Sequence, residues 1–181
     1  YTSPLLLPYI NEPQLHEQLK QQTKQMFLNY HQIAHFTFLV TSLLDDHQIP
    51  YILLKGISLA ACYPQPEFRK LGDVDIYISD PDALKRAKKL LESSGFVPET
   101  ELSDHHLTYQ YTFPKTRRSF ILELHFRVVG LYQYEPANRL VDQVFSCASI
   151  QSFHQQIHNY NYRVLPPTEN TFYMLHHMLK H

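Results

Sequence analysis

Thiols are nearly absent from this 181-residue chain: Cys62 and Cys147 are its two cysteines, far apart and outside any CxxC spacing. That argues against a disulfide framework and makes a reducing cytoplasm the expected compartment. Long apolar runs are missing too. None approaches the roughly 18 residues that span a bilayer, so no membrane role is expected. The opening YTSPLLLPYI carries no basic n-region and is interrupted by Pro4 and Pro8, so it does not read as a signal peptide. A basic excess is lacking as well. The net charge of −1 with neutral histidine removes the electrostatic basis for nonspecific nucleic-acid binding. Nucleic acid is therefore not an expected partner, although a local basic pocket stays open. There is no low-complexity tract and no internal repeat.

What remains is the composition of an ordinary globular protein, 44% hydrophobic and 18% charged, at a length that suits one domain of about 100–200 residues. An α+β architecture is expected, a mixed β-sheet flanked by helices. Its parts are an N-terminal helical segment (1–48), a core (49–150) and a C-terminal strand and helix (151–181). The chain starts at Tyr1 rather than Met and stops at His181 inside a helix-like pattern. It therefore reads as part of a longer protein, with a further C-terminal region or a protein partner beyond.

From Gln14 to about Asp46 apolar residues recur near helical spacing, which predicts one long helix or two with a break near Asn29. Asn11 is the expected N-cap, with Pro13 in the first turn. The apolar residues concentrate in the second half, so that half is expected to be the packed one. Tyr51–Leu54 suits a buried strand that Gly56 breaks, and Ile57–Cys62 suits a short helix before Tyr63-Pro64-Gln65-Pro66. A strand over Asp73–Ile78 follows. Asp80 caps the next helix, with Pro81 at its first position and Gly95 just past its end. The alternation of His106–Phe113 and Phe120–Val128 around Pro114–Arg118 predicts a β-hairpin. Phe96–Thr100 reads as a short strand, Asn138–Ala148 as a helix, Tyr160–Leu165 as a strand, and Pro167-Thr168 opens a last helix.

Chemistry concentrates in Tyr51–Ile78. On a strand, Asp73, Asp75 and Tyr77 point one way while Val74, Ile76 and Ile78 point the other. Two neighbouring carboxylates repel unless a cation sits between them. The later strand places Glu123, His125 and Arg127 on a polar face that could meet the Asp73/Asp75 face. Magnesium takes hard oxygen ligands and keeps several waters, so two or three carboxylates suffice for it. Two such ions about 3.5–4 Å apart can stabilise the entering and leaving oxygens of a nucleotidyl transfer. Asp73, Asp75 and Glu123 are the carboxylates available.

The order Lys55-Gly56, a short helix, Arg69, Gly72-Asp73-Val74-Asp75-Ile76 and later Glu123-Leu124-His125 resembles the polymerase-beta-like nucleotidyltransferases, specifically the bacterial group labelled "nucleotidyltransferase family protein". The likeness covers roughly Tyr51 to Arg127, and Leu175–His181 looks like that group's following helix. It implies the nucleotidyltransferase fold and transfer of an NMP from an NTP such as ATP to a hydroxyl-type acceptor. It also implies Mg2+ or Mn2+ held by Asp73, Asp75 and Glu123, and a triphosphate touched by Gly56. The family's turn is Gly-Ser or Gly-Gly-Ser. Here it is Gly56-Ile57-Ser58, with Ser58 standing for the usual serine.

Each residue also has a plainer reading. Asp-x-Asp is commonly the wet face of a strand. Lys55 is either a phosphate or substrate contact or a solvated lysine at a strand end. Arg69 either positions triphosphate or pairs with the acids. His125 orients a carboxylate, touches substrate, or makes a structural hydrogen bond. Glu123 is a third ligand or the base for the acceptor. His154/His158 and His177/His181 share i,i+4 spacing, but without cysteine partners or an HExxH pattern no zinc site is expected there. The altered turn leaves a second class open, an antitoxin-like module that binds nucleotide or a partner without turnover.

Overall fold

The computed structural model describes residues 3–100, 103–146 and 153–180. After a short helix α1 (Ser3–Leu6) and a 3-10 turn (Leu7–Tyr9), helix α2 runs unbroken from Pro13 to Asp46. Glu12 rather than Asn11 is its N-cap, its carboxylate accepting from the backbone N–H of Gln14 (3.3 Å) and Leu15 (2.9 Å). A cap must stand immediately before the first helical residue, and with Pro13 at that position Asn11 falls one residue short. No break occurs at Asn29. Its side chain instead donates to the Leu71 carbonyl at 2.6 Å, holding the segment that leads into the acidic strand. Burial begins just beyond, with Tyr30, Ile33, Phe36, Val40 and Leu44 in the core. The packed half is the second half, as the apolar spacing indicates.

The sheet has five strands in the order β1 (Ile52–Leu53), β2 (Val74–Tyr77), β5 (Ser119–His125), β4 (His106–Thr112) and β3 (Val97–Pro98). β2 and β5 are parallel and the other pairs antiparallel, so the sheet is mixed and the fold is α+β. Helix α3 (Ile57–Ala60) leaves β1, and α4 (Pro81–Ser93) follows β2. Asp80 caps α4 through the N–H groups of Asp82 and Ala83. Gly95 lies beyond its end at φ +90°, a conformation that a side chain would strain. The strands are shorter than the apolar runs suggest. Tyr51 and Leu54 flank β1, and β5 ends at His125, so Arg127 leaves the strand face and donates to Asp142 (2.7 Å) on α5 (Glu135–Phe145).

A second hairpin, β6 (His154–Ile157) with β7 (Tyr160–Arg163), reaches the sheet edge through a bridge from Leu53 to Val164. β7 was legible as a strand; β6 was not, because its exposed polar residues do not alternate. The hairpin also separates His154 from His158: a strand residue and a turn residue at φ +54° do not share the helix face that i,i+4 spacing implies. The expected helix from Asn138 loses Cys147 and Ala148 to the undescribed residues, and the His177/His181 pairing also lies outside them. Helix α6 (Pro167–Lys180) brings Tyr173, His176 and His177 to the same cavity as Asp73, Glu123 and His125. Among the described residues no helix is long and apolar enough to cross a membrane.

Candidate active site

The parallel pairing of β2 with β5 sets Asp75 directly opposite Glu123 and Tyr77 opposite His125. Period-2 alternation then puts both acids on one face, while Ile76 and Leu124 fill the other side of the core. On the far side of β5 the antiparallel register brings Thr108 opposite Glu123 and His106 opposite His125. At the edge of β2, the Leu54 N–H donates to the Asp75 carbonyl (3.0 Å), which carries Lys55 to the same place.

Asp75 is 1% exposed. Its Oδ1 takes Lys55 Nζ at 3.1 Å and His125 Nε2 at 3.2 Å, and the same His125 nitrogen lies 3.3 Å from Glu123 Oε2. The Oδ2 of Asp75 is buried with no hydrogen-bond partner among the described residues. These contacts set the protonation states. Burial raises the Asp75 carboxyl, with the His125 hydrogen bond and the Lys55 charge acting against it. The His125 hydrogen bond outweighs burial at Glu123 and brings its carboxyl down to about 2. Burial alone would lower His125, but its two carboxylate partners raise it overall. Lys55 behaves likewise, its desolvation outweighed by Asp75 and Asp73. Two cations and two anions thus interlock where the first half of β2 meets the second half of β5.

A cavity of about 500 Å³ opens in front of this cluster. Lys55, Asp73, Glu123 and His125 form its sheet wall, and Asp75 sits immediately behind. The opposite walls come from Asp104, His105 and His106, from the loop at Val128–Gly130, and from Tyr173, His176 and His177 of α6. Of that second set the sequence points only to His176 and His177, within the Leu175–His181 segment. The paired histidines at the start of an alternating run were the further available signal. The loop wall is tied down by Asn138, whose side chain bonds both the N–H (2.8 Å) and the carbonyl (3.0 Å) of Tyr132, and by a hydrogen bond between the Tyr132 hydroxyl and His176.

Of the eight residues the sequence singles out, the structure gathers five: Lys55, Asp73, Asp75, Glu123 and His125. The set that closes to within 4.8 Å is Asp75, Glu123 and His125; Asp73 lines the same cavity from the approach to β2. Of the other three, Gly56 and Ser58 belong to the turn and Arg69 braces it. Gly56 adopts φ +72°, and a Cβ there would meet the Asp73 carbonyl at 4.0 Å, so the turn lies against the strand entry. Ser58 is buried and its hydroxyl donates to the carbonyls of Leu54 and Lys55. Arg69 donates to the Gly56 carbonyl at 3.2 Å. Neither Ser58 nor Arg69 lines the cavity.

A divalent cation of the magnesium kind fits the donor set, because an orphaned buried carboxylate oxygen stands beside a second carboxylate held ionised. Residues 8–181 match the family described as "Uncharacterised nucleotidyltransferase", and the chain belongs to it. The match extends well beyond Tyr51–Arg127 on both sides. No curated protein matches the chain. The family carries nucleotidyl transfer as its general function, with an NTP as the substrate consumed.

Proposed function

From that membership we propose that the chain is a metal-dependent nucleotidyltransferase that moves an NMP from an NTP, ATP among the candidates, to a hydroxyl-type acceptor. The observation that carries this reading is the register of β2 on β5, which sets Asp75 against Glu123 behind a cavity that Asp73 also lines. Asp73, Asp75 and Glu123 would hold Mg2+ or Mn2+. Such ions supply charge stabilisation at the entering and leaving oxygens of the α-phosphoryl group. Glu123 acts as a ligand rather than a base, since a carboxyl near 2 is a weak proton acceptor at neutral pH. His125 positions the two carboxylates by standing between them. Lys55 faces the cavity with a firmly held charge and suits a phosphate oxygen. Gly56 shapes the turn beside Asp73, and Arg69 and Ser58 keep that turn in place.

Two observations favour a second reading, a nucleotide- or partner-binding module of the antitoxin kind with little turnover. Lys55 and His125 already neutralise Asp75, and Ser58 is turned away from the cavity, so both cation entry and phosphate contact meet resistance. Incubation with labelled NTP and Mg2+ separates the two: label transferred to an acceptor fraction supports the enzyme, and nucleotide binding without transfer supports the module. Absence of Mg2+-dependent nucleotide binding would overturn both.

A further inference from the structure

His105 and His106 stand side by side where β4 begins, and the register sets His106 across from His125. One ring nitrogen of each of the three lies within 4.8 Å of the other two. We propose that His105, His106 and His125 form a binding site for a zinc-class transition-metal ion, distinct in its ligands from the carboxylates assigned to magnesium. This site stands whether or not the chain transfers nucleotides.

The hydrogen bonds around the rings dictate which nitrogens are left to face an ion. Asp104 Oδ1 lies 2.7 Å from His105 Nδ1; a carboxylate accepts only, so Nδ1 carries the hydrogen and a neutral ring offers Nε2. At His125 the carboxylates of Asp75 and Glu123 face Nε2, which leaves Nδ1 as the nitrogen an ion would take in place of the proton of the charged ring. That atom is buried without a hydrogen-bond partner among the described residues, in a residue 3% exposed. A histidine with one nitrogen on a carboxylate and the other turned away from it is the arrangement that orients imidazole ligands on metals. Two of the three rings have it.

Spacing agrees with this. His105 Nε2 and His106 Nδ1 share a hydrogen bond of 3.0 Å, a separation close to the roughly 3.3 Å between two nitrogens that each sit about 2.0 Å from one tetrahedral ion, so an ion would take the place of the shared hydrogen. Ser103 Oγ contacts both Nδ1 atoms, at 3.0 and 3.2 Å, which restrains the rings. Glu123 Oε1 is 3.9 Å from His106 Nε2, so an oxygen donor borders the imidazoles. Imidazole suits zinc and its late first-row neighbours, whereas magnesium takes oxygen. His105 and His106 are both part-exposed on the cavity wall, giving an ion a way in and a free coordination position facing the cavity.

The test uses the whole chain with Zn2+ alone by calorimetry and with Co2+ read by visible absorption. About one equivalent should bind, and the cobalt protein should show a ligand-field band. Combining His105→Gln with His106→Gln should weaken Zn2+ by roughly 100-fold, as losses around a metal site do, while Asp73→Asn should leave the band intact. If circular dichroism shows the double variant unfolded, His105→Gln alone carries the comparison, because its side chain is the more exposed of the pair. No band in the unaltered chain, a band indifferent to the histidine substitutions, or a band lost in Asp73→Asn would each overturn the site. Mg2+-dependent ATP binding, measured on the same samples, reports on the carboxylates separately.

Discussion

Asp75 and Ser58 are two buried polar side chains of the same stretch of chain, and the fold treats them in opposite ways. Asp75 lies on β2 with an orphaned oxygen, two cationic partners and Glu123 across the strand pair. Ser58 lies on the short helix after the Gly56 turn and returns its hydroxyl to the Leu54 carbonyl. The difference is one of who chooses the partner. On a paired strand, register and alternation fix where a side chain goes, and a carboxylate that cannot reach backbone donors is left for charged groups. In a one-turn helix, a hydroxyl competes for carbonyls three and four residues back, and the local bond wins.

Replacing Asp75 by Ala strikes this contrast hardest. Lys55 and His125 would share a buried site with no anion between them and Glu123 left as sole partner. Breaking such a buried pair costs about 3 kcal/mol, read as a lower urea midpoint with unchanged slope; a loss below about 1 kcal/mol would show the cluster to be open to water. Ser58→Ala should remove only a local hydrogen bond, about 1 kcal/mol, and leave ATP affinity where it was. A fall in ATP affinity with stability unchanged would instead place the hydroxyl on phosphate.

The smallest effect is a pH dependence. Glu123 is held at about 2 in the folded chain, below the roughly 4.3 of an unfolded carboxyl. Its stabilisation is therefore complete above about pH 4.3 and lost as the pH falls through about 2. His125 runs the other way: its raised value makes its stabilisation complete below the unfolded histidine value near 6.5 and lost as the pH rises past the folded one. Glu123→Gln should flatten the acid limb of a melting-temperature profile by under about 1 kcal/mol, since the carboxylate is partly open to solvent. An unaltered acid limb would mean that Glu123 is not held by His125.

The same distinction explains what the sequence revealed. Strands β2, β4 and β5, helices α2 and α4, and the shared face of Asp75 with Glu123 follow from alternation, helical spacing and the Asp80-Pro81 and Gly95 boundary residues. Glu12 displaced Asn11 as the cap because capping depends on a one-residue offset. Most of the second wall of the cavity was illegible for another reason. His105, His106, Tyr173 and His176 come from a strand start and the final helix, far apart in sequence, and only the antiparallel register of β4 on β5 and the placement of α6 bring them to Glu123. β6 was hidden because His154, Gln155 and Gln156 are polar and Ile157 alone cannot mark an apolar phase.

Titration of ATP into the chain with and without Mg2+, repeated with Asp73→Asn, addresses the carboxylate cluster most directly. Asp73 is part-exposed and outside the buried ion pairs, so the substitution should leave stability within about 0.5 kcal/mol and isolate cation binding. Mg2+-dependent ATP binding that disappears in the variant is the predicted result. Equal binding by both proteins, or binding indifferent to Mg2+, would contradict a metal site at the head of β2.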